Sequence, residues 1–195
     1  MEFDKIFHLG YWKYNKKLFN DYFEYDKQIY RRWSGKDKLN KADLSTIEWK
    51  YMKCLRKVQS NKGNIWGRIY ERKLEFLTKK TGIWIPANIV CGKGMIIAHW
   101  GRIIVNPRTV VGNEFSISSG AVIGRDIRGN RKGTPILGDR VVIKNNATVV
   151  GNIRIGNDVL IAPNAYVNFD VPDHSVVVGN PGIVYSRENA TEGYI

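Results

Sequence analysis

A mainly β fold, a parallel β-helix behind an N-terminal α-helical segment, is predicted for this 195-residue chain by three observations. Branched apolar residues recur at every sixth position, at Val105, Val111, Ile117 and Ile123 and again at Leu137, Ile143, Val149, Ile155, Ile161 and Val167, and the beat reaches back through Ile97, Cys91 and Ile85. Glycine follows the sixth residue at Gly92, Gly112, Gly124, Gly138 and Gly156, where a corner is expected to need a positive φ. Ahead of the beat the apolar residues follow a helical period instead. Each six-residue step supplies one short strand and one turn, three steps close a triangular coil, and the sixth side chain fills its interior. A β-sandwich with coincident spacing is the alternative, and the persistence of the register argues against it.

Residues 1–82 form the helical, basic segment. Leu44, Ile47, Met52 and Leu55 punctuate a helix expected over 43–58, and Ile69, Leu74 and Leu77 another over 65–80, which Gly82 ends. The connections are SGKDKLNK at 34–41 and QSNKGN at 59–64. Residues 1–80 hold 20 Lys and Arg against 10 Asp and Glu, most of the formal net charge of +13. Tyr11, Trp12, Tyr14, Tyr22, Tyr25, Tyr30 and Trp33 interleave with the lysines, a composition suited to an anionic surface or a glycan. No helix-turn-helix, ribonucleoprotein or zinc-finger pattern accompanies it, so nucleic acid is not expected as a partner. Peripheral contact with a membrane or a lipid-linked glycan is the candidate role for this segment.

The coils follow over residues 83–185, about five turns in all, and VPDHSVVVGNPG from Val171 closes them with a final apolar strand. Residues 186–195, beginning at Ser186, read as a poorly ordered tail or a contact with a neighbour. With 43% apolar residues the chain has enough to build a core. No apolar stretch fits a secretory leader or a membrane span, and a cytoplasmic location, with access to the inner face of the membrane, is expected. Cys91 falls on an inward position and Cys54 in a helix, so neither a disulfide nor a metal site is expected.

The beat breaks twice. From Ile97 to Val105 the step is eight residues, pushing the chain outward around His99 and Trp100. From Ile123 to Leu137 it is fourteen, and the excess, RDIRGNRKGTP at 125–135, is a polar and basic loop thrown out from the coils. Rigid stacks hold loops by their roots, which is where binding and catalysis concentrate. With three steps per coil, Ile97, Ile117, Ile143 and Ile161 stack about 4.8 Å apart. The following corners then stack as Ala98 and His99, Ser118 and Ser119, Lys144 and Asn145, Ala162 and Pro163, a track for a long thin ligand with one histidine at its foot.

The stretches GKGMIIAHWGRIIVNPRTVVGNEFSISSGAVIG, PILGDRVVIKNNATVVGNIRIGNDVLIAPNAYV and VPDHSVVVGNPG resemble serine acetyltransferases and, more closely, the related enzymes that O-acetylate bacterial surface polysaccharides. The resemblance covers about residues 83 to 184. It implies a left-handed β-helix, a homotrimer, acetyl-CoA as donor and a site between neighbouring subunits; the left hand comes from the resemblance alone, since crossover rules favour the right. Carried over residue by residue, His99 takes the place of the family's general base, and imidazole as a group suits proton exchange near neutral pH. The donor contacts fall on Arg125, Asn145 and Pro163. Pro163 has no amide hydrogen to offer, so its contact is through the carbonyl or by packing. Arg128, Arg131 and Lys132 are candidates to meet the nucleotide phosphates. His8 and His174 lack such support and read as structural.

Departures from the serine enzymes bear on the acceptor. Trp84 and Ala98 stand where that family has aspartates, and Gly133 and Thr134 where it has an arginine and a histidine. A zwitterionic amino acid needs opposite charges for its two ends, which these residues do not supply. Trp84 and Trp100 offer flat faces for a sugar ring, and Asn106 is the candidate to position the imidazole or the sugar. The expectation is therefore an acetyl-CoA-dependent O-acetyltransferase acting on a saccharide hydroxyl of a capsule, O-antigen or exopolysaccharide unit. Serine O-acetyltransferase is the alternative enzyme, and an inactive β-helix serving as a binding or scaffold subunit the alternative of another class.

Overall fold

The computed structural model describes residues 13–195. His8, Tyr11 and Trp12 lie outside them. Helix α1 (Lys16–Ser34) starts at Asn15, whose side chain accepts the Leu18 amide, and ends where Gly35 takes φ 65°. Its buried stripe is Phe19, Phe23, Asp26 and Ile29. The helix expected over 43–58 is divided: Asp43–Ser45 is a 3₁₀ turn, and α2 (Ile47–Ser60) starts anew at Thr46. The reason is local, because Asn40 and Asp43 bond each other's amides at 2.8 and 2.9 Å, while Thr46, held extended, caps the Trp49 amide. Helix α3 (Ile65–Thr81) runs from the Asn64 cap to Gly82 at φ 72°.

Phe23 and Trp49 meet edge to face at 5.4 Å where α1 crosses α2. Beneath them Asp26 and Arg56, both buried, form a bidentate pair at 2.8 and 2.9 Å. The same groups bind the first coil: Asp26 accepts the Gly94 and Met95 amides at 2.8 and 3.0 Å, and Arg56 donates to the Gly92 carbonyl at 2.8 Å. One ion pair thus ties two helices to the first turn of the solenoid.

Three walls of parallel strands make the coils. The first is β1 (Ile83–Trp84), β4 (Ile103–Val105), β7 (Val122–Gly124), β10 (Thr148–Val150) and β13 (Tyr166–Val167). The second is β2 (Val90–Cys91), β5 (Val110–Val111), β8 (Ile136–Leu137) and β11 (Arg154–Ile155). The third is β3 (Ile96–Ile97), β6 (Ser116–Ile117), β9 (Val141–Ile143), β12 (Val159–Ile161) and β14 (Ser175–Val178), with β15 (Ile183–Ser186) returning antiparallel at its end. Ile97, Ile117, Ile143 and Ile161 pair in register, with Val177 next. Every residue of the sixfold beat is buried.

The corner glycines serve a different purpose from the one expected. None of Gly92, Gly112, Gly124, Gly138 and Gly156 has a positive φ. They are small because successive corners touch: a Cβ on Gly112 would lie 2.5 Å from the Gly138 carbonyl oxygen, and one on Gly138 would lie 2.9 Å from that of Gly156. Positive φ falls two residues later, in a column of Gly94, Glu114, Arg140, Asp158 and His174. Beside it runs a side-chain ladder in which Asp139 accepts the Asn113 amide, Asn157 the Asp139 amide and Asp173 the Asn157 amide, at 2.7 to 2.8 Å.

Residues 186–195, expected from the sequence as a poorly ordered tail or a contact with a neighbour, continue from the end of β15. They fold back on their own coils, burying Ala190 and Thr191. Asp158 gathers the segment, accepting the Ala190 amide at 3.0 Å, the Thr191 amide at 3.1 Å and the Thr191 hydroxyl at 2.6 Å. The Nδ1 of His174 lies 2.9 Å from the same carboxylate. Burial alone raises the Asp158 carboxyl, but the bonds from Thr191, His174 and Ala190 outweigh it and hold it at about 2. His174 is raised in turn, chiefly by its bond to Asp158.

Candidate functional site

The eight-residue step after Ile97 makes an outward bulge. Ala98 still donates to the Ile117 carbonyl, as the ladder requires, and the regular pattern resumes where Gly120 donates to the Arg102 carbonyl at 2.6 Å. Residues 99–101 are left outside the coil. Gly101 closes the bulge at φ 138°, a conformation that side chains rarely adopt, and a Cβ there would crowd that of Ser119 at 3.2 Å. Gly101, two residues beyond His99, is therefore the residue of the bulge that lies against Ser119 of the corner column.

His99 is exposed, at the mouth of a hollow of about 220 Å³ between the third wall and the helices. Tyr30 and Trp33 from α1, Thr46, Glu48, Trp49 and Met52 from the start of α2, and Ile97 and Ala98 complete it. The Tyr30 and Trp33 rings lie 5.3 Å apart. Glu48 holds the bulge in place: its Oε1 accepts the Trp100 amide at 3.1 Å. Among the described residues nothing hydrogen-bonds the His99 ring. Sequence reasoning missed Glu48 and the hollow, because the bond spans 52 residues and α2 shows only an ordinary acidic first turn.

The other expected acceptor residues are dispersed. Trp100, next to His99, points into solvent and is 59% exposed. Trp84, 55% exposed, lies on the first wall and lines a separate hollow with Leu74, Thr78 and Pro86. Asn106 sits at the corner beyond β4, where its side chain accepts the Arg108 amide at 3.0 Å. It fixes that turn, and among the described residues no hydrogen bond joins it to His99.

Of the residues expected at the donor, Asn145 and Pro163 stack in a column with Ser119. Asn145 donates to the Ser119 hydroxyl at 2.9 Å, and the backbone steps from coil to coil through Asn146 to Ser119 and Asn164 to Asn145. Arg125 begins the protruding loop, a short arm closed by paired bonds between Asp126 and Gly133 at 2.9 and 3.0 Å. The arm is anchored on both sides, since Asn152 donates to the Arg131 carbonyl and Thr134 to the Arg108 carbonyl. Gly133 admits no side chain: a Cβ would lie 2.8 Å from that of Asn152. Arg128, Arg131 and Lys132 are exposed on the arm. Cys54 and Cys91 are buried free thiols, the first pushed up to about 11 and the second also raised, in both cases by burial. Among the described residues no group of three or more His, Cys, Asp and Glu side chains is placed to hold a metal.

Residues 134–168 match the family described as bacterial transferase hexapeptide (six repeats). Over those residues the coils match hexapeptide repeats. The chain is 35% identical to a serine acetyltransferase of Mycobacterium tuberculosis over 119 residues, covering 61% of this chain and 52% of that protein. It is 36% identical to one from Helicobacter pylori over 108 residues, 55% of this chain and 63% of that one. The chain thus spans about half the length of the Mycobacterium relative. Among solved structures, the Neisseria gonorrhoeae serine acetyltransferase superposes with a TM-score of 0.75 at 25% identity, over 88% of this chain and 66% of that one. A serine acetyltransferase solved in complex with CoA shares the fold, with a TM-score of 0.70 at 21% identity. The hexapeptide solenoid behind helices is therefore established. The closer resemblance to polysaccharide-acetylating enzymes has no counterpart among these relatives, all of which bear the serine name.

Proposed function

We propose that the protein is an acetyl-CoA-dependent O-acetyltransferase with His99 as general base. The observation that carries this is the bulge, held by Glu48 at the Trp100 amide, that lifts a histidine out of the coil and sets it at an open hollow. His99 takes the proton of the acceptor hydroxyl as that oxygen attacks the thioester carbonyl. The tetrahedral adduct then expels the CoA thiolate, and the imidazolium returns the proton to sulfur, so the ring ends as it began. Backbone amides at the bulge are the candidates to hold the developing oxyanion. Direct transfer is favoured over an acyl-enzyme, because both thiols are buried and held in the neutral form. Arg125, Asn145 and Pro163 mark the path of the donor, with the arm's cations toward its phosphates.

L-serine is the acceptor that the relatives' names support. A saccharide hydroxyl is the second reading, and the hollow favours it: Tyr30, Trp33 and Trp49 supply ring faces, while among the described residues no Lys or Arg lines it to meet an amino-acid carboxylate. The experiment is thiol release from acetyl-CoA with L-serine and with a panel of sugars and nucleotide sugars. Saturable turnover with serine establishes the first reading, and turnover with a sugar but not serine the second. No release with any hydroxyl acceptor, from protein that binds CoA, would leave the inactive scaffold.

A further inference from the structure

Helix α3 has two apolar faces, and only one is used by the fold. Leu74 and Leu77 are buried against the rest of the protein. At 3.6 residues per turn, Ile65, Ile69 and Phe76 fall on the side opposite Leu74. Phe76 is 65% exposed and Ile69 48%. Cations frame this ridge: Lys73 and Lys80 run along one edge, Arg72 and Lys79 along the other, all exposed. Glu71 and Glu75 lie farther round, between the Arg72 edge and the buried stripe. An apolar ridge edged by Lys and Arg is the pattern of a helix lying in a membrane interface.

We propose that α3 seats this face on an anionic lipid bilayer, with Phe76 and Ile69 entering the boundary between headgroups and acyl chains and the four cations meeting lipid phosphates. Charge decides the occupant. A second copy of the chain docking through the same ridge sets cations against cations, whereas an anionic surface complements them and the wider excess of residues 1–80. No described helix is long and apolar enough to cross a membrane, so the contact is peripheral. The proposal does not depend on the acetyl-transfer reading.

The test is co-sedimentation of the full chain with vesicles of phosphatidylcholine alone or mixed with phosphatidylglycerol. The wild type is expected to sediment with the mixed vesicles, to be released by added salt and to ignore the neutral ones. Replacing the ridge, Ile69→Ser with Phe76→Ser, is expected to lower the bound fraction by about tenfold or more while melting temperature and solution mass stay unchanged. Three results would overturn the proposal: no binding to anionic vesicles, undiminished binding of the variant, or a smaller assembly for the variant, which would make the ridge a contact between copies.

Discussion

Asp158 shows how much a single carboxylate can organise. It sits in the left-handed column at φ 54°, and its two oxygens serve the tail from below and His174 from the side. Because its folded pKa of about 2 lies under its ordinary value of 3.8, its contribution is complete above pH 4 or so and fades as pH falls toward about 2. His174 is raised, so its share is complete below its ordinary value of 6.5 and fades as pH rises through the raised one. The tail is therefore predicted to be held best between those limits, and Asp158→Asn to free it at every pH. Hydrogen exchange of the Ala190 and Thr191 amides measures this; protection unchanged in the variant would contradict it. The sequence read His174 as structural but not its partner, since Asp158 looks like another turn residue and the bond exists only once the coils are stacked. The beat was legible because an aliphatic side chain inside a narrow coil has no substitute. The corner glycines were legible as positions but not as causes, since close approach between coils exists only after stacking.

The helices carry their own logic at the next scale. Their apolar stripes and the Gly82 stop follow from the sequence, whereas the division at Thr46 rests on the Asn40 and Asp43 turn, which overrides a continuous apolar period. What attaches them to the solenoid is the buried Asp26 and Arg56 pair, an interaction that sequence patterning hides because both residues look like ordinary surface charges. Asp26→Ala is predicted to lower unfolding free energy by about 3–5 kcal/mol, since it leaves a buried guanidinium without its carboxylate. Adding Arg56→Met should restore part of that loss. Urea unfolding of both variants gives the answer, and a single mutant as stable as the wild type would refute the role assigned to the pair. The arm at 125–135 was legible as an insertion from its length and composition. Its closure by Asp126 and Gly133 was not.

For the whole molecule, one subunit leaves apolar surface on two walls of the prism. Trp84, Ile104 and Val122 align outward on the first wall, and Val90, Val110 and Ile136 on the second. Val90 is 62% exposed. Runs of this kind mark interfaces, and a homotrimer is the assembly proposed to cover them. Sedimentation velocity at micromolar concentration should show three copies; a monomer would contradict it. The solenoid was readable from one sequence because the period is rigid, whereas its hand was expected from the resemblance alone. The hollow proposed for the acceptor was not legible, because α1, α2 and the bulge, far apart in the chain, build it jointly. The proposed chemistry rests on that bulge, and the measurement that tests the account most directly is transfer by His99→Ala, followed with melting on the same preparation. The side chain lies outside the coil and carries no core contact, so the variant should melt with the wild type and bind CoA as well. Transfer to the acceptor should fall by roughly 10² to 10⁴. A folded His99→Ala protein that transfers acetyl at a near-normal rate would contradict the account.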